Sequence, residues 1–187
     1  MTTEYSEALK DIYKGQEAWI VGKGPSLEYL TGGHFGSGPV IAMNESILVV
    51  QEFDIINPIY SMQKDGYEWL MVKPADNIYL VLQKGLSGAW FIDHPKRYII
   101  DPVYEWGLHF TEMSIRICVY LAKHMGCELI SFVCCDSLTN DDCRTFDVDK
   151  RTTPPKKDGY YPNVKPLVLD DVKDMPHRFI VPEGMKP

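Results

Sequence analysis

Between residues 111 and 136 the hydrophobic period changes abruptly, and this change constrains the fold more than any other feature of the chain. Ile115, Cys118, Val119, Ala122 and Met125 recur at helical spacing and Gly126 supplies a stop, so a helix is predicted over about 111–125. Cys127 to Asp136 follows at once as a nearly continuous apolar run, the pattern of a strand covered on both faces. A helix feeding such a strand is half of a βαβ unit. Short apolar runs bounded by turn residues also occur at 18–21, 40–43, 58–62, 77–82, 98–100 and 178–181. Their alternation with amphipathic stretches predicts an α/β class fold, with a Rossmann-like, mostly parallel sheet and helices on both faces.

The 187 residues read as a single domain, 1–187, in which residues 137–177, with Pro154, Pro155, Pro162, Pro166 and Pro176, form an irregular loop or lid. A chain of this size, 45% hydrophobic, buries enough surface to fold without disulfides or a structural metal. Its five cysteines contain no CxxC and read as reduced thiols; zinc held by Cys134, Cys135 and Cys143 is the weaker alternative to packing as small hydrophobes. No stretch of 18 apolar residues and no secretory signal is present, so a cytoplasmic protein without a membrane span is expected. A net charge of −7 argues against nucleic acid as a partner. A homo-oligomer is compatible with the sequence.

In an open parallel sheet, ligands bind beyond the carboxyl ends of the strands, so the polar residues that end each apolar run are the candidates. The first run breaks into Gly22-Lys23-Gly24-Pro25-Ser26-Leu27, which reads as strand, glycine turn and helix. Gly22 and Gly24 permit close ligand approach, Pro25 and Ser26 suit a helix start, and Lys23 adds positive charge where an anion is favoured. Leu27 stands where GxGxxG needs its third glycine, and a tight turn without ligand is the competing reading. Asn44 can bond a base or ribose and Asp65 can bond hydroxyls or a cation, although both residue types also serve as ordinary turn formers. Asp136 and Ser137 end the last long run and open an acidic stretch that either helps hold Mg²⁺ with substrate phosphates or is simply solvated. His94, His109 and His177 are histidines able to reach this edge, and His177 follows the pair Tyr160 and Tyr161, so a lid can carry a base and phenolic donors.

The segment WIVGKGPSL resembles the GxGPSL opening of the MptE-like and bacterial sialyltransferase superfamily. Asn44 in AMNES, the YSMQKD segment, and the block from Gly107 through Thr111 and Gly126 to Cys135-Asp136-Ser137 are similar to later features of those proteins. The resemblance covers about Trp19 to Ser137, and the compact size is most similar to small phage members. It implies a nucleotide site formed by Gly22, Lys23, Gly24, Pro25, Ser26, Asn44, Asp65, Thr111, Asp136 and Ser137, with phosphates toward the glycine turn. In the sialyltransferase branch it implies inverting, metal-free transfer from a nucleotide sugar donor, with His177 as base and Tyr160 and Tyr161 on the departing phosphate. In the pyrophosphokinase branch it implies ATP and Mg²⁺, with Asp65 or Asp136 helping to bind the metal. A nucleotide-binding module without catalysis is the third reading. All three require the amides after Val21 to open into the same cleft as Asn44 and Asp136.

Overall fold

The computed structural model describes residues 3–63, 73–84, 93–109, 113–139 and 164–183. Eight strands run through these residues: β1 (Thr3–Tyr5), β2 (Glu17–Val21), β3 (Val40–Met43), β4 (Ile59–Gln63), β5 (Tyr79–Gln83), β6 (Arg97–Ile100), β7 (Leu129–Val133) and β8 (His177–Ile180). All pair in parallel in one sheet of order β1-β6-β5-β4-β3-β2-β7-β8. From β2 the chain steps outward through β3 to β6, then returns to place β7 on the other side of β2. The order therefore reverses between β2 and β7, the point at which an open α/β sheet leaves a crevice.

Alternating side chains of each central strand feed two cores, as expected for a sheet covered on both faces. Ala18 and Ile20 of β2, Ile41 and Met43 of β3, and Ile130 and Phe132 of β7 join one core; Trp19, Val21, Val40, Ala42 and Val133 join the other. The first core is covered by α3 (Ser114–His124) and α4 (Val164–Asp171), two of four α-helices among the described residues, with α1 (Ile47–Val50) and α2 (Pro102–Trp106). Six buried residues of α3 face the sheet, from Ile115 to Ala122, and an aliphatic side chain buried this way contributes about 1.5–3 kcal/mol. The helix ends where the sequence places its stop. Gly126 is left-handed (φ 81°), and the amides of Gly126 and Cys127 return to the carbonyls of Lys123 (2.9 Å) and Ala122 (3.1 Å). A bidentate pair from Arg116 to Asp171 (2.5 and 2.8 Å) ties α3 to α4.

Three expectations are corrected here. The segment after the first glycine turn is a five-residue 3-10 turn, Pro25–Tyr29, rather than an α-helix, because the buried Leu27 and Leu30 stand three apart and match that tighter repeat. Residues 164–171, expected to be loop, form α4; Pro166 sits in its first turn, where a missing amide costs nothing, and Val164, Val168 and Val172 bury one stripe. The strand expected within the apolar run from Cys127 to Asp136 stops at Val133 because Cys134 turns left-handed (φ 54°). Strand β1, three residues long, is too short to announce itself by periodicity.

Candidate functional site

The carboxyl edge of the sheet gathers Gly22 to Ser26 after β2, Asn44 to Ser46 after β3, Gln63 at the end of β4, and Cys134 to Ser137 after β7. Asn44 and Cys134, two of the three non-glycine residues with positive φ among the described residues, directly follow β3 and β7 here (φ 50° and 54°). Such backbone clusters at functional edges and costs of order 1 kcal/mol or more per residue.

The glycine turn is not an open nest of amides. Gly22 N–H donates to the Val133 carbonyl (2.8 Å), Gly24 N–H to that of Cys134 (2.9 Å), and Leu27 N–H to that of Gly24 (3.0 Å). The Ser26 amide and hydroxyl both donate to Asp136 Oδ2, at 3.3 and 2.8 Å, and Asp136 is buried. A carboxylate of the protein itself thus occupies the anion position expected for phosphate. The glycines serve the same internal contact: a Cβ on Gly22 meets the Cys134 carbonyl oxygen at 2.5 Å, and one on Gly24 meets Asp136 Oδ2 at 1.7 Å. Gly24 has an ordinary φ of −66°, so closeness rather than backbone freedom demands glycine there. Lys23 is likewise committed, its Nζ 2.6 Å from Glu45 Oε2 across the turns after β2 and β3. Gly22, Lys23, Gly24 and Ser26, expected to face a ligand phosphate, thus make contacts within the protein in this structure.

Asn44 points elsewhere. Its Nδ2 donates to Ser114 Oγ (3.4 Å), and its carbonyl accepts from Gln63 Nε2 (3.1 Å), which also donates to Ser61 Oγ (2.7 Å). The side chain therefore meets the start of α3, whose preceding residue Met113 provides no side-chain cap. Helix α3 packs across β2, β3 and β4 with its amino end at the carboxyl edge, so its first amides carry the positive end of an 11-residue dipole beside Asn44. Ser114 and Gln63 were missed by reading strand ends alone. The signal available was weak: polar Ser61 lies inside the apolar run 58–62 with Gln63 just beyond it, and Ser114 directly precedes the first apolar residue of the helical pattern.

His177 lies at the other end of the molecule. It is the first residue of β8, paired with Ile130 near the start of β7, whereas the candidate edge lies beyond Val133. Its Nδ1 sits 3.1 Å from the Met175 carbonyl oxygen, an obligate acceptor, so that nitrogen carries the proton. The parallel register of β7 and β8 thus places His177 away from the carboxyl edge at which it was expected to act as base. His94 is also placed away from this edge, buried before β6 with Nδ1 3.0 Å from the Lys96 carbonyl oxygen. Tyr160, Tyr161, Asp65 and Thr111 lie outside the described residues, as does Cys143.

Burial pushes the Cys134 thiol up to about 12 and holds Cys135 well above the usual thiol range, so both stay protonated at neutral pH and pack as small hydrophobes. Among the described residues no three His, Cys, Asp or Glu side chains gather to hold a metal ion, and Asp136 is turned onto Ser26. Asp65, the other carboxylate expected near a metal, lies outside the described residues. No described helix is long and apolar enough to cross a membrane.

Fold and edge together define a Rossmann-like α/β domain whose polar strand-end groups converge beside a helix start. Neither a known protein family nor a curated protein matches the sequence.

Proposed function

We propose that this protein binds a nucleotide sugar at the carboxyl edge of β2 to β4 and transfers the sugar to an acceptor, as its resemblance to the sialyltransferase-like proteins implies. The nucleoside lies against Asn44 and the phosphates lie over the first turn of α3. The observation that carries this reading is the Asn44–Ser114 contact, which joins a left-handed asparagine after β3 to the amino-terminal turn of α3 near the point where strand order reverses. Because the Ser26 amide already holds Asp136, the amides after Val21 do not open to the ligand as all three readings required; only the Asn44 part of that cleft is kept, and the phosphates move to α3.

A thermal-shift panel of CMP, UDP and GDP sugars tests it. A donor at 100 times its Kd stabilises the native state by about 2.7 kcal/mol, which raises Tm by roughly 5–10 °C in a chain of this size. No shift with any of them removes the reading. Ser114→Pro sharpens the test, since proline is accepted at the first helical position and Met113 already has the extended backbone (ψ 140°) that precedes proline. The variant is expected to keep the fold and to bind the nucleotide about tenfold more weakly, whereas Ser114→Ala, which keeps the amide, loses no more than about threefold. Isothermal titration measures both.

A second reading, nucleotide binding without transfer, is favoured by the place of His177 at the amino end of β8. His177→Ala is expected to leave nucleotide affinity and any nucleotide-sugar turnover within about twofold of the parent, that is, within about 0.4 kcal/mol. A large loss of turnover on the folded variant counts against its position as described.

A further inference from the structure

We infer that Gln63 reads the nucleoside half of the ligand, its side-chain carbonyl accepting a hydrogen bond from a ribose hydroxyl or a base N–H; this rests on the nucleotide reading above. Gln63 is the last residue of β4, at the same edge as Asn44, and is buried. Its amide has one orientation. Nε2 donates to the Asn44 carbonyl, which can only accept, and to Ser61 Oγ, so a flipped amide sets two acceptors against each other. Oε1 is then left facing away from both. It is shut off from water and has no hydrogen-bond partner among the described residues.

Buried acceptors in native proteins nearly always have a donor, so one left without it calls for an explanation, and a ligand donor is the explanation inferred here. The missing group has to be a donor, because a carbonyl oxygen repels phosphate oxygens and attracts O–H or N–H. That chemistry belongs to the nucleoside end of the ligand, and the orphan atom sits on the amide that holds the Asn44 backbone. Gln63 thus has two tasks, fixing the left-handed turn through Nε2 and reading the ligand through Oε1.

The probes are CMP, UMP, GMP and AMP, followed by the 2′-deoxy, 3′-deoxy and base N-methylated forms of the best binder, titrated calorimetrically against the wild type and Gln63→Met. The wild type is expected to lose about five- to tenfold in Kd toward one of these analogues, the size of a single hydrogen bond. Gln63→Met is expected to bind that analogue and its parent equally. A deoxy analogue that shows the loss identifies the donor as ribose, and an N-methylated analogue identifies it as the base. Wild-type affinities within twofold across all analogues overturn the inference, while the nucleotide reading stands. Discrimination that persists in folded Gln63→Met also overturns it. Absence of binding by the wild type to every parent nucleotide removes the nucleotide reading itself and the inference with it. The wild-type series needs no variant, so poor folding of Gln63→Met does not blunt the test.

Discussion

Gly24→Ala is expected to destabilise the protein by about 3 kcal/mol or more, lowering Tm by roughly 6–12 °C. The new methyl group arrives 1.7 Å from Asp136 Oδ2 and 2.5 Å from its Cγ, distances at which the carboxylate has to leave its place. Leaving breaks the bonds to the Ser26 amide and hydroxyl, so overpacking and loss of a charge-assisted pair occur together. Asp136→Ala alone removes those bonds without the clash and is expected to cost about 1–3 kcal/mol. In the double variant the carboxylate clash is gone, but the Cβ of residue 136 still lies 2.8 Å from the new methyl group, so Gly24→Ala keeps part of its cost in the Asp136→Ala background and the coupling is about 1–2 kcal/mol. Urea unfolding of the four proteins measures the cycle. Additive effects would mean that Asp136 does not fill the turn, and the phosphate position after β2 would be open again.

The second large effect is expected at Gly38. Its φ is +105°, where side chains are rarely found, and a Cβ there lies 2.0 Å from the backbone carbonyl oxygen of Glu17. Backbone in the first residue of β2 has nowhere to go, since β2 is bonded to β3 on one side and β7 on the other. Asn57 Nδ2 further braces this turn by donating to the carbonyls of Gly36 (2.6 Å) and Gly38 (2.7 Å). Gly38→Ala is therefore expected to cost about 3–5 kcal/mol, with loss of Tm and of expression as soluble protein. Gly107→Ala is the control. Gly107 also has positive φ (+66°), but no atom of the described residues lies within 4 Å of the place its new methyl group takes, so the backbone penalty of about 1 kcal/mol is the main cost. Equal losses at both positions would show that backbone angle, rather than the contact with Glu17, dominates at Gly38.

These glycines illustrate how the turn after β2 misleads when read locally. Gly22, Gly24 and Ser26 have the composition of an anion-binding turn, and the turn does hold an anion. The anion is Asp136, 110 residues further along the chain. Local sequence records that a backbone must be approached closely by something negative, and it is silent on whether that group arrives from solution or from the next strand. His177 shows a related limit. Its order after Tyr160 and Tyr161 suits a catalytic lid, but parallel pairing of β8 with β7 carries it to the amino end of the sheet. Proline-rich spacing hid α4 in a similar way, because Pro166 reads as a breaker unless it is known to stand in the first turn.

What the residues determine unaided is the α/β alternation. Seven of the eight strands and the long helix α3 are visible as changes of hydrophobic period, since burial of one helix stripe and of both strand faces is a short-range property written within about ten residues. Strand order, and with it the reversal between β2 and β7, arises only when the sheet assembles. So do the meetings of Ser26 with Asp136, Lys23 with Glu45, and Asn44 with Ser114. Each depends on which strand ends become neighbours, a long-range packing outcome that no local pattern encodes.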